Sequence, residues 1–245
     1  MRTGHGTDEA TAMTPAASSP QPAQALVLDF GGVVTRTLFE THEQTESALG
    51  LPAGSMTWRG PFDPANDALW QRMQRDEISE RDYWLARSRE VGALLGETWD
   101  DMQTLVRRAR GAEPEGMLRP ETLALIEAAH AAGRRLALLS NELDLFYGTE
   151  MRERLRCLEH FDVIVDATYT GILKPDRRAY DQVLSGLGVP ANACVFVDDQ
   201  QRNIDGARAA GMQVVWFDVL APQRSCDEAA QRLGLPLAAP PPTFK

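Results

Sequence analysis

Three acidic side chains follow two apolar segments of the chain, and their spacing points to metal-assisted chemistry. Asp29 lies near the end of a strand predicted at 25–30, and Asp198 and Asp199 follow a strand predicted at 193–197. Apolar runs of this kind are typical of strands that are buried on both faces. The carboxyl ends of parallel strands meet at one edge of an open α/β sheet, where such sheets bind ligands. We therefore expect the three carboxylates to lie close together.

Three neighbouring carboxylates need a counter-ion, because like charges at short range cannot all stay ionised. A hard divalent cation with oxygen ligands meets this need, and Mg²⁺ retains several waters, so that two carboxylates and one carbonyl from the protein suffice. The expected ligands are Asp29, the backbone carbonyl of Gly31, and the pair Asp198 and Asp199. The sequence leaves open which member of the pair touches the metal.

A phosphate group is the expected ligand of the residues around this metal. The chain has only two lysines, Lys174 and the C-terminal Lys245, whereas its other fixed cations are arginines. Lysine carries a compact point charge, unlike the planar guanidinium of arginine, so the position of Lys174 indicates a specific need for that charge. Ser140 and Asn141 follow a strand predicted at 134–139, and they offer a hydroxyl and backbone N–H groups to phosphate oxygens. Asp29 is then placed to attack phosphorus and form an aspartyl-phosphate, with the metal, Lys174 and Ser140 stabilising the transferring charge.

Composition excludes several other classes of protein. The net charge of -10 argues against a nucleic-acid-binding protein and against binding to an anionic membrane surface. No apolar run approaches the length of a membrane span, and the N-terminus lacks the apolar core of a secretory signal. The three cysteines lack metal-ligand spacing, which favours a reducing, cytoplasmic location. We expect a monomer or a homodimer that acts on a small-molecule phosphorylated substrate.

Strands alternate with helices along most of the chain, which predicts an α/β fold with a doubly wound parallel sheet. Residues 37–111, here called the helical block, show helical patterns and no strand, so we expect an inserted cap domain. The remaining divisions are a disordered tail at 1–24, a core domain at 25–36 and 112–235, and a proline-rich tail at 236–245.

Local signals give three more expectations. Asp63 as N-cap, followed by Pro64, predicts the start of a helix in the helical block. Most tryptophans of the block are expected in its core, whereas Arg59 lies in the turn-like stretch 58–61 and is expected to reach the ligand. In the core domain, one helix is predicted from 143 to about 158.

Four segments, in chain order, resemble the motifs of the haloacid dehalogenase (HAD) superfamily of hydrolases. They are Leu28–Val33, Ala137–Asn141, Lys174–Asp176 and Val197–Ala207. The resemblance covers about 25–217 and implies a Rossmann-like core with a C1-type helical cap inserted after the first motif. It also implies that Asp29 is the nucleophile, that Ser140 and Lys174 bind phosphate, and that Asp199 is the direct metal ligand with Asp198 beside it.

One position departs from the family pattern. HAD phosphatases usually carry a second Asp two residues after the nucleophile, where it protonates the leaving group and then activates water, and here that residue is Gly31. Loss of a general acid–base costs roughly 10²–10⁴-fold in rate. Three alternatives would accommodate this loss. Asp198, a bound water or a cap residue could replace the missing acid, or the substrate could have a leaving group that needs no proton. The reaction could also be of another type. A fourth alternative is a weakly catalytic or non-catalytic phospholigand-binding or regulatory protein.

Two other reaction types of the superfamily fit poorly. The paired Asp198 and Asp199 argue for a metal, which the family's dehalogenases lack, and the helical block has no lysine to form the Schiff base of its phosphonatases. The Gly-Gly form of the first motif resembles a branch with bacterial α-glucose-1-phosphate phosphatases and the phosphatase domain of epoxide hydrolases. The leading hypothesis is therefore a Mg²⁺-dependent phosphomonoesterase that acts through Asp29.

Overall fold

The sheet at the centre of the molecule is entirely parallel. The computed structural model describes residues 21–236, so most of both predicted tails lies outside the described residues. Five strands pair in the order β3-β2-β1-β4-β5. They are β1 (Ala25–Leu28), β2 (Arg135–Ser140), β3 (Val163–Asp166), β4 (Cys194–Asp198) and β5 (Gln213–Trp216). This arrangement confirms the predicted doubly wound α/β fold.

Helices connect these strands. In chain order they are α1 (His42–Leu49), α2 (Ala68–Gln74), α3 (Glu80–Leu94), α4 (Met102–Arg110), α5 (Pro120–Ala131), α6 (Leu143–Tyr147), α7 (Thr149–Arg152), α8 (Ala167–Thr170), α9 (Arg177–Leu187), α10 (Gln201–Ala209) and α11 (Pro222–Arg232). No helix between residues 21 and 236 is long and apolar enough to cross a membrane.

The central strand β1 is buried on both faces, as its uninterrupted apolar sequence predicts. Leu26 and Leu28 pack in one apolar cluster with residues of α5 and α11, and Ala25 and Val27 pack in another with residues of α9 and α10. The chain passes from β1 to β2 on one side and later returns to β4 on the other. The strand order therefore reverses between β1 and β4, and a crevice opens at their carboxyl ends.

Residues 36–117 follow β1 and contain helices and turns but no strand. Phe39 lies at the centre of an aromatic cluster in this region, with ring centroids 5.4 Å from Trp58, 5.4 Å from Trp70 and 5.2 Å from Trp84. Trp58 is buried, as expected for a core tryptophan, whereas Trp70 and Trp84 are half-buried. One side of the aromatic cluster therefore remains open.

The start of α2 differs from the prediction. Asp63 and Pro64 introduce only a short 3-10 turn, and α2 begins at Ala68 with Asp67 as its N-cap. The Asp67 carboxylate accepts a bond of 2.9 Å from a backbone N–H of the first turn, and it also pairs with Arg87 on α3. This buried pair holds the cap in place, and it joins residues that are distant in sequence.

The prediction of a single helix from 143 to about 158 is also wrong. The structure divides this segment into α6, α7 and a 3-10 turn at Arg156–His160. Gly148 separates α6 from α7 with a φ of 75°, a value outside the helical range that glycine adopts without steric cost. The apolar periodicity continues across the break, which is why the pattern suggested one helix.

Candidate active site

The carboxyl ends of β1 and β4 bring three carboxylates together. One oxygen atom each of Asp29, Asp198 and Asp199 lies within 4.8 Å of the other two. Asp198 ends β4 and is fully buried, Asp29 follows β1 and is 9% exposed, and Asp199 is half-buried. The crevice between β1 and β4 therefore holds a concentrated negative charge.

Lys174 lies between two of these carboxylates. Its Nζ atom donates to Asp29 Oδ1 and to Asp198 Oδ2, both at 2.7 Å. Burial lowers the pKa of Lys174, but Asp198 and Asp29 raise it by more, so the ammonium group stays charged at neutral pH. Burial raises the pKa of Asp29, and Lys174 opposes that rise.

Asn141 positions the lysine. Its side-chain Oδ1 accepts the backbone N–H of Lys174 at 2.7 Å, and its Nδ2 donates to the backbone carbonyl of Lys174 at 3.2 Å. Ser140, at the end of β2, is buried, and its hydroxyl oxygen accepts the backbone N–H of Glu142 at 3.4 Å. Asn141 thus fixes the backbone from which the Lys174 side chain reaches the carboxylates.

Asp198 and Asp199 have different surroundings. Asp198 Oδ1 accepts the backbone N–H of Gln200 at 2.8 Å and Nδ2 of Asn203 at 3.0 Å, while Oδ2 accepts from Lys174. Among residues 21–236, the Asp199 carboxylate has no hydrogen-bond donor, and burial and the carboxylate of Asp198 raise its pKa well above the ordinary value. A partly buried carboxylate without a donor, beside two others, fits a hard divalent cation. Asn203, in the first turn of α10, thus holds the Asp198 carboxylate in place.

The two glycines after Asp29 serve different purposes. Gly32 has a φ of 80°, and a Cβ atom there would lie 2.7 Å from Asp199 Oδ2, so only glycine permits this approach. Gly31 has an ordinary φ of -68°, and a Cβ atom there would meet nothing within 4 Å. The geometry therefore requires glycine at position 32, whereas position 31 has room for an acidic side chain.

Two adjoining cavities open at this edge of the sheet. The inner cavity lies beside Asp29 and Lys174, and its walls also include Gly31, Glu80, Ser140 and Glu142. The outer cavity extends between the strand edge and the helical block, and its walls include Gly31, Phe39, Trp70, Glu80, Trp84 and Asp199. The open side of the aromatic cluster thus forms a wall of the outer cavity.

The first turn of α3 borders the inner cavity through Glu80 and contacts two of its wall residues through Arg81. The sequence did not single out either residue as functional. Arg81 Nη2 donates to the backbone carbonyl of Asn141 at 3.2 Å, and its Nε lies 3.4 Å from Glu142 Oε1. Burial, assisted by the charge of Glu80, raises the pKa of Glu142 to about 8. Acidic residues are common in the first turn of a helix, so the position of Glu80 carries no functional signal by itself.

Arg59 is placed elsewhere. Its side chain is exposed, its Nη1 lies 3.2 Å from His42 Nδ1, and it lines neither cavity. Burial and the charge of Arg59 lower the pKa of His42 to about 4. The residues from the helical block that line the outer cavity come instead from the region around Phe39, from Pro61, and from α2, α3 and α4. Glu80 of α3 lines the inner cavity as well.

Comparison with known proteins identifies the family. The model of the haloacid dehalogenase-like hydrolases matches residues 23–211. Phosphatase MT3486 of Mycobacterium tuberculosis is 29% identical over 199 residues, which cover 79% of this chain and 87% of that protein. Phosphoserine phosphatase of Thermus thermophilus is 32% identical over 177 residues, covering 70% of this chain and 60% of that protein.

Solved structures share the fold. The HAD-hydrolase YfnB from Bacillus subtilis, bound to magnesium, aligns with a TM-score of 0.56 at 17% identity, covering 80% of this chain and 87% of that one. A dehalogenase aligns with a TM-score of 0.54 at 22% identity, covering 80% and 85%. These likenesses concern the fold alone, whereas the family model spans most of the sequence. The chain therefore belongs to the haloacid dehalogenase-like hydrolases.

Proposed function

We propose that this protein is a Mg²⁺-dependent phosphomonoesterase that transfers the phosphoryl group of a small phosphorylated metabolite first to Asp29 and then to water. The observation that carries the proposal is the buried Lys174 ammonium, which lies 2.7 Å from Asp29 and from Asp198 with a third carboxylate beside them. One cation does not balance three carboxylates, so the site attracts a metal ion, and the metal with Lys174 attracts a phosphate.

The residues that would hold the metal follow from the hydrogen bonds already in place. Each oxygen of Asp198 already accepts from two donors, whereas the Asp29 carboxylate accepts only from Lys174 and the Asp199 carboxylate accepts from none among residues 21–236. Asp199 and Asp29 are therefore the direct carboxylate ligands, joined by the backbone carbonyl of Gly31. When bound, Mg²⁺ supplies charge neutralisation to the phosphate and to the attacking carboxylate. Asp198 instead holds Lys174 in place.

Asp29, Lys174, Ser140 and Asn141 have different roles in the proposed reaction. Lys174 holds Oδ1 of Asp29, which leaves Oδ2 to form the bond to phosphorus. The Ser140 hydroxyl and the Lys174 ammonium bind phosphate oxygens and stabilise their charge as the ester bond breaks. Asn141 acts on the reaction through the backbone of Lys174, which it holds on both sides.

The outer cavity suggests the kind of leaving group. Phe39, Trp70 and Trp84 present ring surfaces to the space next to Asp199 and Gly31. Aromatic walls bind apolar surface with specific orientation. We therefore include in the proposal that the alcohol part of the substrate presents an apolar face to these rings.

One observation favours a second candidate function, a phospholigand-binding protein with little or no turnover. Gly31 stands where the family's general acid usually is, and a Cβ atom there would meet nothing within 4 Å. A protein of this kind would bind phosphate at Lys174 and Ser140 and release it unchanged.

Phosphate release from a panel of phosphorylated metabolites and one aryl phosphate, with Mg²⁺ or with EDTA, distinguishes the two functions. We expect Mg²⁺-dependent release by the wild type, loss of release in Asp29→Asn, and normal release in the control Asp181→Asn, which removes an exposed carboxylate from α9. Full turnover by Asp29→Asn would contradict the phosphoenzyme. Absence of release with panel compounds that still raise the melting temperature would support the binding protein.

A further inference from the structure

The inner and outer cavities meet at a junction formed by three residues. Gly31, Glu80 and Gln200 are the described residues that line both cavities. If phosphate occupies the inner cavity and the alcohol part of the substrate the outer one, the ester oxygen between them lies at this junction. Glu80 is the only one of the three with a side chain that can both release and accept a proton.

The carboxyl group of Glu80 does not cap the helix that carries it. Glu80 is the first residue of α3, but Ser79 and Asp82 cap this helix reciprocally. Within residues 21–236, the ion pair of Glu80 is a long one, at 3.4 Å to Arg202 Nη2, and the side chain is 23% exposed. Burial raises the pKa of Glu80, while Arg202 and Lys174 oppose that rise. A carboxyl group in this setting can carry a proton into the reaction.

Glu142 also has a carboxyl group near Asp29 and is not among the proposed metal ligands, but it is placed differently from Glu80. It lines the inner cavity but not the outer one, and Arg81 lies 3.4 Å from its Oε1. An acid must reach the ester oxygen on the side of the leaving group. Glu80 satisfies this requirement, because it borders the space for the leaving group, and Glu142 does not.

We propose that Glu80 is the general acid–base of the reaction and replaces, from the helical block, the acid that is missing at Gly31; this inference rests on the proposed phosphatase function. Asp29 Oδ2 forms a bond to phosphorus while the ester P–O bond breaks, and the Glu80 carboxyl gives its proton to the departing oxygen. The Glu80 carboxylate then takes a proton from a water whose oxygen attacks phosphorus, the bond to Asp29 breaks, and orthophosphate leaves.

The test compares substrates whose leaving groups need a proton with one whose leaving group does not. We expect Glu80→Gln to lower kcat/KM by about 10²–10⁴-fold with alkyl phosphates and far less with 4-nitrophenyl phosphate, because nitrophenolate departs without protonation. Asp76→Asn is the matched control, since Asp76 also lies 3.4 Å from Arg202 but is exposed and lines neither cavity. It is expected to behave as the wild type with both substrate types.

A second variant addresses folding and rescue. The open space at Gly31 leads us to expect that adding Gly31→Asp to Glu80→Gln restores most of the lost turnover of alkyl phosphates. An equal loss with both substrate types, no loss at all, or a double variant no faster than Glu80→Gln would overturn the assignment. The same substrate-dependent loss in Glu142→Gln instead would move the role to Glu142. Absence of any turnover by the wild-type protein would refute the proposed phosphatase function. That outcome is distinct from those that refute only the role of Glu80.

Discussion

Replacing Lys174 with Met tests the electrostatic account of the site. The Nζ atom lies 2.7 Å from Asp29 Oδ1 and 2.7 Å from Asp198 Oδ2, and the lysine side chain is 1% exposed. Methionine fills a similar volume but leaves both carboxylates without this cation. Breaking a buried ion pair by removing one partner costs about 3–5 kcal/mol of unfolding free energy, because the other charge stays buried. For a protein of this size that corresponds to a melting temperature lower by roughly 6–20 °C.

The loss should depend on pH, and its sign follows from the carboxylates. Burial raises the pKa of Asp29 to about 7 even with Lys174 present. A carboxyl group whose pKa is higher in the folded protein stabilises it at low pH, and this contribution disappears as the pH rises through the folded value. Without Lys174 the folded pKa of Asp29 rises further, so the deficit of the variant should grow between about pH 5 and about pH 8.

The assay is denaturant unfolding of metal-free wild type and variant at both pH values, in EDTA. Arg177→Met is the matched control, because Arg177 Nε lies 2.8 Å from Asp181 in an exposed pair, for which we expect about 0–1 kcal/mol. Excess Mg²⁺ should restore part of the stability of Lys174→Met by supplying another cation. If Lys174→Met costs no more than Arg177→Met at pH 8, the carboxylates do not depend on Lys174, and this account of the site is wrong.

Two further predictions concern the packing of α10 and the hydrogen bonds that α10 donates to Asp198. Gly206→Ala should lower the unfolding free energy by about 1–3 kcal/mol, because its Cβ would lie 2.7 Å from the buried Tyr180 hydroxyl. Gly31→Ala is the control, because a Cβ atom at that position would meet nothing within 4 Å. Equal stability of the two variants in urea would contradict the reasoning. Asn203→Ala should lower the unfolding free energy by about 1–3 kcal/mol, because it removes bonds of 3.0 and 3.1 Å to the buried Asp198. Calorimetry should also show weaker Mg²⁺ binding by Asn203→Ala, and unchanged binding would contradict the role of Asn203.

The fold was predictable because its signals are local. The strands stand out as apolar runs, their alternation with helices predicts parallel pairing, and the structure confirms the resulting sheet. The placement of Asp29, Ser140 and Asp198 follows from the same rule, since each ends or follows a strand of that sheet. Lys174, which lies in a loop, was singled out by residue type, and the structure places its Nζ atom 2.7 Å from Asp29 and from Asp198.

How the helical block packs decides which of its residues line the two cavities. Local sequence patterns do not predict that packing. Arg59 is exposed beside His42, whereas Glu80, an ordinary first-turn acid in the sequence, borders both cavities. The difference between Asp198 and Asp199 is likewise set by donors that approach from α10 and from the loop of Lys174.

The sequence by itself determined the sheet, the strand ends and the residue types available there, because hydrophobic periodicity and strand termini are properties of short segments. The tertiary structure decided which side chains meet: the cap of α2, which depends on Arg87, and the junction between the cavities, which depends on Glu80. These contacts join segments far apart in the chain, and their energy depends on distances and burial that exist only after the segments have packed.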